Sequence, residues 1–187
     1  MKKIITLSFL LPTLLFAMTG LKIGDKAPKL ELESTDSKMV NFSKLKNDTI
    51  VVFYRGAWCP YCIKQLKSIE LDIAKKIKGK ADIIAVSVDR SKVAKKMKDE
   101  YKFSFVVLSD TKAKSLKAFN IVNKLDDKLV KKYKASYKID VEADSGETHH
   151  MVAHPAVFII KDGKIAFVDV QTDYKVRTNN QDILKAL

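Results

Sequence analysis

Residues 50–54 (IVVFY) are an unbroken apolar run of strand length, and Cys59-Pro60-Tyr61-Cys62 begins five residues after it ends. A run with no polar alternation suits a central strand covered on both faces. The period then changes. Cys62, Leu66, Ile69, Ile73 and Ile77 recur at intervals of 4, 3, 4 and 4, which is one face of a helix. Pro60 suits the first helical position, where a missing N–H costs nothing, and Gly79 suits the helix end. Both cysteines of the chain therefore lie where a buried strand gives way to a helix.

The same alternation continues downstream. Residues 83–88 (IIAVSV) and 105–108 (FVVL) read as core strands, with a basic helix over 91–102 between them. Asp110 is placed to cap a helix running to Asn120. Residues 156–160 and 165–168 read as strands joined by Lys161-Asp162-Gly163-Lys164, a hairpin signal. Residues 179–187 form a closing helix. Shorter extended pieces are expected at 29–33 and 39–42. Residues 121–151 read as an insertion, in which Leu125, Leu129, Tyr133 and Tyr137 lie four apart and predict one amphipathic helix. The order predicts an α/β fold, a sheet with helices on both faces.

Composition narrows the class further. At 187 residues, 47% hydrophobic and 30% charged, the chain is neither disordered nor a polytopic membrane protein. Two cysteines exclude a multi-disulfide scaffold. Lys and Arg exceed Asp and Glu by 35 to 22, a net charge of +13. Such a charge can draw nucleic acid, anionic lipid or acidic proteins. The lysines are spread along the chain, without zinc-finger spacing or an arginine-rich stretch, so they read as a solvated surface and no nucleic-acid partner is expected.

The N-terminus sets the expected compartment. Lys2 and Lys3 precede an apolar run at 4–16, too short for a span of about 20 residues and typical of a secretory signal. Residues 1–20 are read as that signal and 21–187 as the mature domain, periplasmic or secreted and without stable membrane insertion after cleavage. A cysteine pair can be oxidised there.

The chemistry centres on the C-x-x-C. Cys59 falls at the helix start, where unpaired N–H groups and the helix dipole stabilise a thiolate. Cys62 lies one turn on, within reach of a mixed disulfide on Cys59. Cys59 is the expected nucleophile and Cys62 the resolving thiol, with Trp58 and Tyr61 flanking the sulfur. The other readings are a zinc half-site completed by His149, His150 or His154, and an inert disulfide. His154-Pro155 directly precedes the apolar strand at 156–160.

The stretch Phe53-Tyr54-Arg55-Gly56-Ala57-Trp58-Cys59-Pro60-Tyr61-Cys62 resembles the active site of the peroxiredoxin-like branch of the alkyl hydroperoxide reductase/thiol-specific antioxidant family. Leu108-Ser109-Asp110, His154-Pro155, Asp162-Gly163 and Asp173-Tyr174-Lys175-Val176-Arg177 extend the likeness over roughly residues 22–187. The resemblance implies a thioredoxin fold: a central mixed sheet flanked by helices, with the helical insertion ahead of a cis-proline at Pro155. It also implies that His154 presents its backbone or imidazole to a substrate disulfide.

Two departures stand out. Peroxiredoxins carry a proline seven residues before the reactive cysteine and a hydroxyl residue three before it. Here those positions are Val52 and Gly56, with Arg55 as a cation beside the thiolate. The internal acids of thioredoxins and of the cytochrome-maturation reductases are replaced by Phe53 and Gln65. The reading is a thiol–disulfide oxidoreductase that needs no cofactor and no metal. It exchanges electrons with protein thiols or disulfides and is recharged by a thiol reductant. One alternative is a thiol peroxidase acting on hydroperoxides through Cys59. Another is a copper or zinc carrier, since thiolates and imidazole suit Cu(I) or Zn.

Mass spectrometry of the extracytoplasmic fraction should find the chain shortened by about 17–20 residues. A full-length product in the cytoplasm would remove the expected leader.

Overall fold

The computed structural model describes residues 20–187, so the expected leader lies, except for Gly20, outside the described residues. In chain order the strands are β1 (Glu31–Ser34), β2 (Met39–Asn41), β3 (Thr49–Phe53), β4 (Asp82–Ser87), β5 (Val106–Ser109), β6 (Val122–Lys124), β7 (Met151–Ala153), β8 (Ala156–Lys161) and β9 (Lys164–Val170). The helices are α1 (Pro60–Ile69), α2 (Lys75–Ile77), α3 (Ser91–Tyr101), α4 (Lys114–Ala118), α5 (Asp127–Tyr137), α6 (Val141–Ser145) and α7 (Asn180–Lys185).

Seven strands form one sheet in the order β2-β1-β5-β4-β3-β8-β9, and β6 pairs with β7 apart from it. β3, β4 and β5 are mutually parallel, while the flanking pairings are antiparallel, so the sheet is mixed. All of β3 is buried, and the pleat divides its side chains between two cores. Val51 and Phe53 join Phe42, Phe119 and Phe158 on one face. Ile50 and Val52, with Tyr54, join Leu66, Ile69, Ile73 and Ile183 on the other. A strand that feeds two cores has no polar side, which is why residues 50–54 read as continuous apolar sequence.

α1 does not run regularly to Gly79. A π-helical turn at Glu70–Ala74 separates it from α2. Neighbouring segments are fastened at this wide turn: Glu70 accepts bonds from the Ser104 N–H (2.8 Å) and hydroxyl (3.0 Å), and the Asn180 side chain donates to Asp72 (2.9 Å). The β8–β9 hairpin follows expectation. Asp162 and Gly163 have φ of 49° and 69°, the left-handed pair of a type I′ two-residue loop.

Three expectations change. Asp110 accepts from Lys114 N (2.8 Å) and Ser115 N (2.7 Å) in the first turn of α4, but the N-cap is Ala113, and α4 is only five residues long and stops at Ala118. The insertion holds β6 and α6 as well as its helix. α5 begins at Asp127 behind the cap Asp126, whose carboxylate accepts from Leu129 N (2.7 Å). Leu125 thus lies ahead of the helix, and Val130 is buried where Tyr137 stays 58% exposed.

The third correction concerns Pro155. Among the described residues no peptide bond is cis. β7 ends at Ala153 and β8 starts at Ala156, and the chain bends at Pro155 as it passes from one sheet to the other. On the two sides of that bond His154 N donates to Ile121 O (2.9 Å) and Pro155 O accepts from Gln171 N (2.8 Å). The trans bond, favoured by roughly 0.5–1 kcal/mol before proline, satisfies both pairings.

Phe158 is fully buried, with ring centroids 5.9 Å from Phe53 and 4.9 Å from Phe119. Phe158→Ala should cost about 3–5 kcal/mol in urea unfolding; a loss under about 1 kcal/mol would show that this core is not close-packed.

Candidate active site

The loop 54–58 carries the chain from β3 to α1 and is fixed from below. Asp89, just past β4, accepts at one carboxylate oxygen from Ala57 N and from the Ser87 hydroxyl, both at 2.8 Å. Burial raises the Asp89 carboxyl to about 7, against the pull of Ser87 and the Ala57 N–H. Gly56 lies under the Trp58 indole, and a Cβ there would fall 2.3 Å from its Nε1. Packing thus explains why the hydroxyl residue of peroxiredoxins is absent at this position.

Cys59 is the N-cap of α1. Its sulfur accepts from Cys62 N at 3.4 Å, and Pro60 occupies the first turn. Both cysteines are free thiols and both are buried, Cys59 with 1% exposure. The hydrogen bond from the Cys62 side chain is the chief cause that lowers Cys59 to about 6. Burial opposes it, while the Cys62 N–H, Arg55 and Arg177 add to it. Burial, then the neighbouring Cys59, pushes Cys62 well above an ordinary thiol. Cys62 also accepts from Arg55 N at 3.5 Å.

Two guanidinium groups flank the sulfurs. Arg177 Nη2 lies 3.1 Å from Cys62 Sγ and 3.7 Å from Cys59 Sγ. Its Nη1 is held by the carbonyls of Tyr174 (2.7 Å) and Val176 (2.6 Å). Arg55 is 3% exposed and sandwiched, its guanidinium carbon 5.0 Å from the Trp58 ring centre and 4.9 Å from that of Tyr174. It donates to the Tyr133 hydroxyl at 3.1 Å. Among the described residues the Nε of each arginine is buried without a hydrogen-bond partner.

The structure therefore brings Arg55, Trp58, Cys59, Pro60, Tyr61 and Cys62 into one site. Tyr61 packs edge-on to Tyr174 at 5.9 Å. His154 bonds neither sulfur among the described residues. Burial lowers its pKa, which favours the neutral ring, and its Nδ1 is buried and unpartnered. The other histidines serve the scaffold. His149 bonds Thr111 O (2.8 Å) and Met151 N (2.9 Å), and His150 lies between Asp127 (3.1 Å) and Glu142 (2.7 Å).

Sequence reasoning missed Arg177 and Asp89. Nothing in spacing connects Arg177 with cysteines more than a hundred residues earlier; its one trace is that it ends the stretch Asp173-Tyr174-Lys175-Val176-Arg177 that carries part of the resemblance. Asp89 did leave a trace: it is the acid that ends the apolar run 83–88.

The AhpC/TSA family profile matches residues 23–168. Peroxiredoxin Q of Oryza sativa subsp. japonica, a chloroplastic protein, is 33% identical over 99 residues, 52% of this chain and 46% of that protein. The thiol-disulfide oxidoreductase ResA of Bacillus subtilis is 29% identical over 99 residues, 52% of this chain and 55% of that protein. The chain thus spans about half the length of these curated relatives. A crystal structure of a Xylella fastidiosa PrxQ mutant superposes with a TM-score of 0.66 at 16% identity, covering 90% of this chain and 95% of that one, a likeness of fold. With a thioredoxin-like fold, a matching profile over most of its length and a dithiol at the helix start, the chain belongs to the AhpC/TSA family.

Proposed function

We propose that this protein is an extracytoplasmic thiol–disulfide oxidoreductase that reduces disulfides of other proteins through Cys59 and Cys62. The observation that carries the reading is the split between the two thiols. Cys59 is lowered to about 6 at the helix start, and Cys62, one turn deeper, is raised. One is ionised at neutral pH and ready to attack; the other holds its proton until a mixed disulfide forms.

The Cys59 thiolate attacks one sulfur of the substrate disulfide. A Cys59–substrate S–S bond forms, the substrate bond breaks, and the second substrate sulfur leaves as a thiolate that takes a proton from water. Cys62 then loses its proton and attacks Cys59 Sγ. The mixed disulfide breaks, the first substrate sulfur leaves reduced, and Cys59–Cys62 is left oxidised. Two electrons have passed to the substrate, and an external dithiol returns them. Arg177, at 3.1 Å, stabilises Cys62 as its negative charge develops. Asp89, the buried acid that feels the charge of Cys59, is the proton acceptor in this reading. It takes the place of the acids replaced by Phe53 and Gln65. Because Cys59 is so deeply covered, a substrate sulfur reaches it only when the loop 173–177 that carries Arg177 gives way.

A specific observation favours peroxide as an alternative oxidant. Two unpartnered guanidinium Nε–H groups beside a thiolate suit the oxygens of a hydroperoxide. Cys59 would then take the distal oxygen and become a sulfenic acid while an alcohol or water departs, and Cys62 would condense with it to give the disulfide and water.

In the thiol-exchange reading Cys62→Ser should accumulate mixed disulfides with its substrate, visible on non-reducing gels, and Cys59→Ser should form none. Equal trapping by the two variants would reverse the roles. Dimedone labelling of Cys62→Ser at low peroxide, with no mixed disulfide, would transfer the assignment to the peroxidase.

The pH dependence follows from the same pair. Reactive thiolate grows as pH rises through the Cys59 pKa, so single-turnover alkylation by iodoacetamide should be half-maximal near pH 6. Arg177→Met should move that midpoint up by on the order of one unit, and Cys62→Ala, which removes the largest lowering cause, should move it further. A midpoint unchanged in both would show that neither group stabilises the thiolate.

A further inference from the structure

The site lies at one end of a continuous aromatic track that the dithiol chemistry does not use. Tyr61 meets Tyr174 at 5.9 Å, and Arg55 lies between Tyr174 and Trp58 at about 5 Å from each ring. Trp58 meets Tyr133 at 5.5 Å, and Tyr133 meets Tyr137 at 6.2 Å. Three separate segments build it: the active-site turn, the loop 173–177 and α5 of the insertion. Its outer members are open to solvent, Tyr61 and Tyr174 at 41% and Tyr137 at 58%. Along the track runs a groove of about 450 Å³ whose lining includes Arg55, Lys124, Asp126, Leu129, Lys132 and Tyr137. A small hydroperoxide leaves most of it unfilled, since a water's share of the liquid is about 30 Å³.

Its lining is net positive, with Arg55, Lys124 and Lys132 against Asp126. Among the described residues Lys124, Lys128, Lys131 and Lys132 form no ion pair, whereas Lys134 is paired with Asp140. Of the acidic groups of this segment, Asp126 lines the groove and caps α5 through Leu129 N, and Asp127 lies against His150. Arg55, almost wholly buried, adds a fixed guanidinium charge to the lining of the groove.

We propose that this groove is a docking site for an extended acidic polypeptide segment next to the disulfide that Cys59 attacks, so that the protein selects substrates by their flanking sequence. The proposal rests on the thiol–disulfide reading and adds its substrate class. Backbone and aromatic residues of the segment lie on the tyrosines, and its carboxylates face Lys124 and Lys132.

The test uses the reduced full-length protein and three oxidants: two synthetic peptides of equal length, each with one internal disulfide, flanked by Glu and Phe or by Lys and Phe, and hydroxyethyl disulfide. Trp58 is the sole tryptophan and adjoins the dithiol, so stopped-flow fluorescence reports oxidation. At low ionic strength the acidic peptide should react about tenfold faster than the basic one, and this ratio should shrink toward unity near 0.5 M salt as screening sets in. The Lys124→Glu/Lys132→Glu variant should invert the ratio. Equal rates for the two peptides, or a ratio unmoved in the double variant, would overturn the docking proposal. Failure of all three disulfides to react would instead overturn the thiol–disulfide reading beneath it.

Discussion

At an ordinary helix start a serine or aspartate oxygen accepts the N–H of the second or third residue and adds about 1 kcal/mol. In this protein a sulfur holds that position. Cys59 Sγ accepts from Cys62 N, so the contact that begins α1 is also the contact that favours the thiolate. The same turn brings the second thiol to the first, and its side chain contributes most to the low pKa of Cys59. Structure and reactivity therefore cannot be separated at this position. A change that unwinds the first turn of α1 removes the cap, the thiolate stabilisation and the resolving geometry together.

Such a cap needs a fixed loop beneath it. The Asp89–Ala57 bond ties that loop to the end of β4, and the Trp58 indole closes over Gly56. Burial works against a thiolate at Cys59, and hydrogen bonds and guanidinium charge overcome it. At Cys62 burial wins, although Arg177 lies closer to that sulfur than to Cys59. The bond between the two thiols is the chief stabiliser of the Cys59 thiolate and, after burial, itself raises Cys62; the backbone adds to this split. Cys59 sits where N–H groups converge at the helix end, whereas Cys62 has already entered the helix and faces Leu66 and Ile69 in the core.

Local signals made most of this legible in the sequence. The run at 50–54, the four-three-four spacing after Cys62 and Asp162-Gly163 each specify an element through neighbouring residues alone. The errors arose where distant segments decide. The resemblance implies a cis bond at Pro155, but His154 pairs with Ile121 and Pro155 with Gln171 across a trans bond. Tyr137 has the right helical spacing for burial, yet the sheet offers it nothing to cover, and Val130 packs instead. Arg177 meets the cysteines only because α7 and the loop before it fold back across α1. No periodicity encodes that return.

The insertion shows how one scaffold separates reactivity from recognition. The cap, the loop and both sulfurs come from β3, β4 and α1, elements whose positions the two cores fix. α5 is held differently, by its Asp126 cap, by the Lys134–Asp140 pair and by His150 between Asp127 and Glu142. Contacts of this kind at the surface are individually worth little, so α5 can change its outer residues without disturbing the sheet. It nevertheless reaches the chemistry through Tyr133, whose hydroxyl accepts from Arg55 and whose ring meets Trp58. Arg55 also stacks on Trp58 and contributes to the low pKa of Cys59. A segment bound along α5 would thus bear on the same arginine that lowers the thiolate's energy, and docking and attack meet at that side chain.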